Sequence, residues 1–405
     1  MSKEAGDFVA YEGYIDLKYQ PDDKDLVCRF YLEPRYGVSF DAAAAAVAAE
    51  SSIGTWTDVA TSKPYVKRLA AHVFAMDPTS GFVDVAYPIE AFESGNIPQL
   101  LSSVAGNIFG MKEAANLRLL DIKFPKSYIK AYKGPLFGIE GVRKLLRVKA
   151  RPLVGTIIKP KMGLNSRDHA QVAYEAWIGG CDIVKDDENL TGQKFNKFKE
   201  RVVKTLRLRD RAEKQTGERK IYMVNVTAET NEMIKRMRFL EDEGNEYAMV
   251  DIITVGWSGL QTLREANNRL QLVLHAHRAG HAAFTRYDKH GIHMVIIAKL
   301  CRIIGMDQLH IGTVVGKMAG GIEEIVACKD AISLKKTSDT KPFLGQDWGR
   351  IAPTLPVASG GLHPGHFPKL MNIFGNDVVI QAGGGIHGHP GGTVKGAMAA
   401  RQAVD

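Results

Sequence analysis

A chain of 405 residues is too long for one ordinary core, and at roughly 100–200 residues per domain two domains are expected. Its 45% hydrophobic and 24% charged content is that of a soluble globular protein whose core needs no covalent stapling. The formal charge of +8 raises nucleic acid as a partner, but the basic residues are scattered and no nucleic-acid motif accompanies them. Runs such as RVVKTLRLRDR are expected to be the solvated face of a helix. A positive balance also suits a substrate that carries several phosphate charges.

Cys28, Cys181, Cys301 and Cys328 lie far apart with no CxxC pair, which argues against a disulfide framework or zinc ribbon and for a reducing cytoplasm. The opening MSKEAGDFVAYEGY has no apolar h-region, and no stretch reaches about 18 uninterrupted apolar residues. Neither secretion by that route nor a membrane span is expected.

In chain order, YIDLKYQ and CRFYLEP read as strands. DAAAAAVAAESS reads as a helix with Asp41 as N-cap, stopped near Gly54. HVFAMD and FVDVAYP are further strands, and SGNIPQLLSSVAGN opens another helix. This order suggests a small α+β domain, ferredoxin-like, over residues 1–134. At GPLFGIEGVRKLL the character changes, and a second, catalytic domain is expected over 135–405.

From residue 150 onward, short β-branched runs alternate with longer amphipathic stretches. The runs are LVGTIIK, DIVK, IYMVNV, MVDIIT, QLVLHAH, QLHIGT, LPVAS and VVIQAGG. Eight buried parallel strands, each followed by a helix, are the pattern of a (β/α)8 TIM barrel, and a doubly wound open sheet seldom needs eight units in about 250 residues. Barrel chemistry sits at the C-terminal strand ends. Seven of the eight ends carry reactive or glycine residues: Lys159, Lys185, Asn225, His275 with His277, His310, Ser359, and the Gly383–Gly385 run.

Among the motifs, KDDEN places Lys185, Asp186, Asp187 and Glu188 at one strand end. Neighbouring carboxylates are hard oxygen ligands suited to Mg2+, whereas a lysine ammonium can only donate. The lysine makes sense there if its neutral amine captures CO2 and becomes a carbamate, a third anionic ligand. Burial would favour the neutral amine and the flanking carboxylates would oppose it until the metal neutralised them. In GTIIKPKMG, Lys159 and Lys161 stand two apart around a proline, so both could project from the end of one extended strand, with a pKa lowered for proton transfer.

HAHRAGH offers His277 and His281 as a zinc half-site, but without further ligands a histidine base and an Arg278 phosphate clamp fit better. GTVVGKMAGG is one residue short of a P-loop and reads instead as a mobile lid carrying Lys317. The glycines of QAGGGIHGHPGG and of Ser359–Gly361 together suggest a phosphate site of backbone N–H groups.

Taken in order, AAESSIGTW, GNIFG, KPK, KDDEN, HAHRAGHA, HIGTVVGK, LPVASGG and GGGIHGHP resemble the RuBisCO large-subunit family from residue 50 to about 390. The resemblance implies a carboxylase, with competing oxygenase activity, acting on ribulose 1,5-bisphosphate with CO2 or O2. It makes Lys185 the carbamylated lysine, with Asp187 and Glu188 as the other Mg2+ ligands. Lys159 would transfer protons at the enediolate, tuned by Lys161, and His277 would assist at the C3 hydroxyl. Lys317 would orient CO2. Arg278, His310 and Ser359 would hold one phosphate; Gly360, Gly361, Gly383 and Gly384, with Thr55 and Trp56, would hold the other. Glu50, Thr55, Trp56 and Asn107 would come from a second copy of the chain, so a homodimer is the smallest active unit and no small subunit is expected.

SGGLHPGH and GGGIHGHP look most like archaeal (form III) members, which implies nucleoside (AMP) salvage or a related sugar-phosphate route. Three departures from plant members stand out: Ala319 in the lid, Ile157 before the catalytic strand end, and an expected lack of a long C-terminal tail latching the lid. The rival reading is a RuBisCO-like enolase or isomerase that fixes no CO2. Relatives of that kind typically lose phosphate and lid residues, whereas Lys317, His310, Ser359 and Glu50 all stand here.

Overall fold

The structure, a computed structural model, describes residue 11 and residues 13–55, 59–315 and 321–405. Trp56, Lys317 and Ala319 lie outside the described residues. The chain forms two compact units, one of residues up to 132 with 281–300 and 335–350, the other of 133–280, 301–334 and 351–405.

The first unit is built on a sheet of β1 (Asp25–Pro34), β2 (His72–Asp77), β3 (Phe82–Pro88), β4 (Ala114–Lys123) and the short β10 (Gly291–Ile292), in the order β10-β4-β1-β3-β2. Sequence reasoning passed over β4, which pairs along the length of β1. It also placed a strand at YIDLKYQ, where only an isolated bridge from Ile15 to Val73 forms. There the Asp16 carboxylate accepts from the Lys18 amide at 3.1 Å and the Asp16 carbonyl from Tyr19 N at 3.0 Å, closing a turn that ends the extended run. The alanine-rich helix spans Phe40–Glu50 and is capped by Ser39, not Asp41: the Ser39 hydroxyl accepts from Ala42 N. Asp41 lies instead in the first turn, where its charge complements the helix dipole. Segment 335–350 joins this unit through buried polar ties. Asp121 accepts from Lys299 Nζ at 2.7 Å and from Leu344 N at 2.8 Å, and Gln346 exchanges hydrogen bonds with the Phe124 backbone.

The second unit is a closed parallel barrel of β5 (Leu153–Ile157), β6 (Ile183–Lys185), β7 (Ile221–Asn225), β8 (Tyr247–Asp251), β9 (Val273–His277), β11 (Gln308–His310), β12 (Leu355–Ser359) and β13 (Val379–Gln381). These are the eight β-branched runs read from the sequence, and their burial on both faces is what made them legible as continuous apolar stretches. Strand-opening residues Leu153, Ile183, Ile221, Tyr247, Val273, Leu355 and Val379 pack with Ile139, Val142 and Leu146 of helix Gly138–Leu146. Each of those three helix residues contributes roughly 1.5–3 kcal/mol by burial. The helix thus plugs the N-terminal end of the barrel. Its first amides, Phe137 N and Gly138 N, donate to the buried Asp307 carboxylate at 2.6 and 2.9 Å, and Leu274 N donates to the same group at 2.9 Å. The C-terminal end of the strands is left for chemistry.

The run RVVKTLRLRDR lies in helix Phe198–Thr216 and is not simply a solvated face, since Arg201 and Arg209 are both buried. All four cysteines are buried free thiols. No helix among the described residues is long and apolar enough to cross a membrane.

Candidate active site

Lys185 closes β6 with its side chain fully buried, and its amine donates to the Asp186 carbonyl at 2.7 Å. Glu188 places a carboxylate oxygen 3.8 Å from the same amine. Burial pushes the Lys185 pKa down, against the pull of Glu188, Asp251, Asp187 and Asp186. A buried amine biased toward its neutral form between carboxylates is a nucleophile in waiting.

The adjacent acids part company. Asp187 faces Lys159, whose amine donates to it at 2.6 Å, and it also accepts from Asn189. Burial alone would raise its pKa, but Lys159 and Asn189 outweigh that and hold it below the usual carboxylate range. Asp186 points the other way, into the layer between strands and helices. There it meets Arg201 at 3.2 Å, His169 Nε2 at 3.0 Å, the Tyr222 hydroxyl at 2.6 Å and Asn225 N at 3.1 Å. The Asn225 side-chain amide donates to the carbonyls of Asp187 and Glu188, so the loop after Lys185 is braced from behind.

His277 closes β9. Its Nδ1 lies 2.8 Å from Asp251, and its Nε2 lies 3.6 Å from Glu188. The Asp251 carboxylate accepts from Nδ1–H and so orients the ring, with Nε2 turned toward Glu188. Sequence reasoning misses Asp251 although a signal exists: it lies within MVDIIT and ends β8, the one barrel strand whose end carries no expected functional residue. His281 Nδ1 lies 2.9 Å from the Thr285 hydroxyl.

Arg278 follows His277, and burial lowers its pKa. Gly312, at φ +98°, leaves it room: a Cβ there would stand 2.6 Å from the guanidinium. His310 ends β11, with Nδ1 2.7 Å from the Ser359 hydroxyl and Nε2 2.8 Å from His275 Nε2. Gly360 and Gly361 continue past Ser359 at φ +125° and +65°, values open to glycine but strained for other residues. Gly383 faces Lys159, where a Cβ would touch Cε at 3.0 Å, and Gly384 opens a short turn of helix.

The two lysines of KPK are placed differently from expectation. β5 ends at Ile157, so Lys159 and Lys161 lie beyond it and do not share an extended strand, and Lys161 is exposed. Glu50, Thr55 and Asn107 belong to the first unit: Glu50 ends helix Phe40–Glu50, Thr55 is exposed and Asn107 opens the turn Asn107–Gly110.

A parallel eight-stranded barrel with a plugged N-terminal end and convergent lysines, carboxylates and histidines at the other defines an α/β-barrel enzyme. Residues 138–405 match the catalytic domain of the ribulose bisphosphate carboxylase large chain, and residues 13–128 match its N-terminal domain. The ribulose bisphosphate carboxylase of Methanosarcina barkeri is 55% identical over 396 residues, 97% of this chain and 92% of that one. That of Pyrococcus abyssi is 50% identical over 397 residues, 98% and 91% of the two chains. The octameric Rubisco of Pyrococcus horikoshii, solved with sulfate, superposes with a TM-score of 0.91 at 49% identity, covering 98% of this chain and 91% of that one. The dimeric archaeal Rubisco of Hyperthermus butylicus gives 0.92 at 43%, covering 97% and 93%. The chain belongs to the ribulose bisphosphate carboxylase large-chain family.

Proposed function

We propose that this chain is the catalytic subunit of a magnesium-dependent ribulose-1,5-bisphosphate carboxylase with competing oxygenase activity, activated by carbamylation of Lys185. The observation that carries the reading is the fully buried Lys185 amine set among carboxylates at the barrel mouth, with Lys159 and His277 beside them. The neutral amine attacks CO2, losing a proton and gaining a carboxylate. Asp187, Glu188 and that carbamate are a hard-oxygen donor set, and the residues present therefore fit Mg2+. The bound ion would supply electrostatic stabilisation of negative charge on the substrate oxygens.

The chain's own residues do the rest. The carbamate on Lys185 takes the C3 proton of the bisphosphate, giving an enediolate whose C2 attacks CO2. His277, oriented by Asp251, assists at the C3 hydroxyl as water adds there. Cleavage of the C2–C3 bond yields two molecules of 3-phosphoglycerate, with Lys159 delivering the final proton and Lys161 tuning it. Lys317 orients CO2. Arg278 and Ser359, with His310 behind Ser359, hold one phosphate; Gly360, Gly361, Gly383 and Gly384 hold the other. Glu50, Thr55, Trp56 and Asn107 of a second copy complete the site. The dimeric and octameric state of the archaeal structures supports a homodimer or an assembly of dimers. The functional domains divide at 134/135, and the setting is the cytoplasm.

The test is incubation with ribulose 1,5-bisphosphate, Mg2+ and labelled bicarbonate, with mass spectrometry of the Lys185 peptide from protein trapped with a bisphosphate analogue. Label in phosphoglycerate and a carboxyl adduct on Lys185 are expected. Enolisation without label would replace this reading with the non-carboxylating one. Asp251→Asn should lower kcat about 10^2-fold with little change in KM, because the His277 ring loses its anchor. An unchanged kcat would remove Asp251 from the machinery.

A further inference from the structure

We propose that Gln308 sets the direction of a hydrogen-bond relay, Gln308–His275–His310–Ser359, and so decides whether the Ser359 hydroxyl donates inward to His310 or outward to a phosphate. The proposal rests on the bisphosphate reading above.

The relay follows the barrel axis. Tyr247 and Gln308 open β8 and β11 at the plugged end, His275 stands midway along β9, and His310 and Ser359 close β11 and β12 at the mouth. Gln308 Nε2 donates to the Tyr247 hydroxyl at 3.4 Å, and Gln308 Oε1 lies 2.9 Å from His275 Nδ1. His275 Nε2 and His310 Nε2 are 2.8 Å apart, and His310 Nδ1 is 2.7 Å from Ser359 Oγ.

Both imidazoles are buried, and burial lowers the pKa of each, so both are neutral. A neutral ring has one N–H and one bare nitrogen. At 2.8 Å the two Nε2 atoms cannot both carry protons or both be bare, so each ring's tautomer dictates the other's. Only two consistent arrangements exist. With Gln308 Oε1 facing His275, as the structure has it, His275 carries Nδ1–H, His310 carries Nε2–H, and Ser359 donates its O–H to His310. With the amide turned, Gln308 donates to His275, His275 to His310 and His310 to Ser359, which frees the serine O–H. A phosphate only accepts, so it selects the second arrangement. The reversal requires the Gln308 amide to turn and give up its present contacts, Oε1 to His275 and Nε2–H to the Tyr247 hydroxyl, so the glutamine in its present orientation opposes it.

Gln308→Met removes the acceptor that holds His275 Nδ1–H. The affinity for a pentitol 1,5-bisphosphate, which lacks the reactive ketone, is expected to rise about threefold, and the same substitution in a Ser359→Ala background should leave affinity unchanged. In the unsubstituted protein, 15N shifts of the imidazoles should show His310 gaining a proton at Nδ1 on saturation with the same compound. Equal effects in both backgrounds, or imidazole nitrogens that do not change on saturation, would overturn the relay. If the unsubstituted protein fails to bind the bisphosphate at all, it is the functional reading that falls.

Discussion

Lys185→Met is expected to lower labelled-carbon incorporation by at least about 10^3-fold while leaving the folded chain intact or more stable. A thioether of similar length fills the same buried volume but cannot capture CO2, so the third anionic ligand never forms. Asp187, Glu188 and Lys159 stay in place, but none of them can supply a base at that position. Among the described residues the amine makes a single hydrogen bond, of 2.7 Å to the Asp186 carbonyl, and burial already disfavours its charge, so little stabilisation is lost with it. Carbon incorporation, read beside thermal melting, separates the two effects. Retained turnover in a well-folded variant would refute the role given to Lys185.

Asp186→Ala is expected to cost about 3–5 kcal/mol of stability, because it strands a fully buried Arg201 guanidinium. The double variant Asp186→Leu with Arg201→Met should recover most of that loss, since a buried pair exchanged for apolar side chains of similar size is often close to neutral. Equal destabilisation in the single and double variants would show that the pair itself is not the cause. Acid should expose the same pair. Burial alone would raise the Asp186 pKa, but Arg201, His169 and Tyr222 outweigh it and bring the carboxyl from 3.8 to about 2. A folded-state pKa below the unfolded one contributes stability above the unfolded value and loses it as pH falls through the folded one. The contribution, on the order of 2 kcal/mol, is therefore complete above a pH of about 4 and disappears toward about 2, a window that urea titrations across acid pH would trace.

These two acids mark where one-dimensional reading stopped. Asp186 and Asp187 are neighbours in KDDEN, and nothing in their order separates a strut from a ligand. The separation comes from backbone direction past the end of β6: one carboxylate turns toward helix Phe198–Thr216, where Arg201 waits, and the other toward Lys159 at the mouth. Arg201 stands in a basic run, and such runs are usually solvated; only the helix packing buries it. YIDLKYQ has strand-like composition but is closed by an Asp16 turn, and β4 became visible only through its pairing with β1.

What the chain by itself determined was local and periodic. Eight β-branched runs, each buried on both faces, announced the barrel, and the motifs at seven of their ends named lysines, histidines and glycines that the fold then gathers at one mouth. Tertiary structure decided which of those groups meet. Asp251 became the partner of His277, and Gln308 the far end of the histidine pair, because barrel closure sets β8, β9 and β11 side by side. Sequence spacing fixes what a strand presents and at which end; hydrogen-bond register between distant strands fixes what it faces.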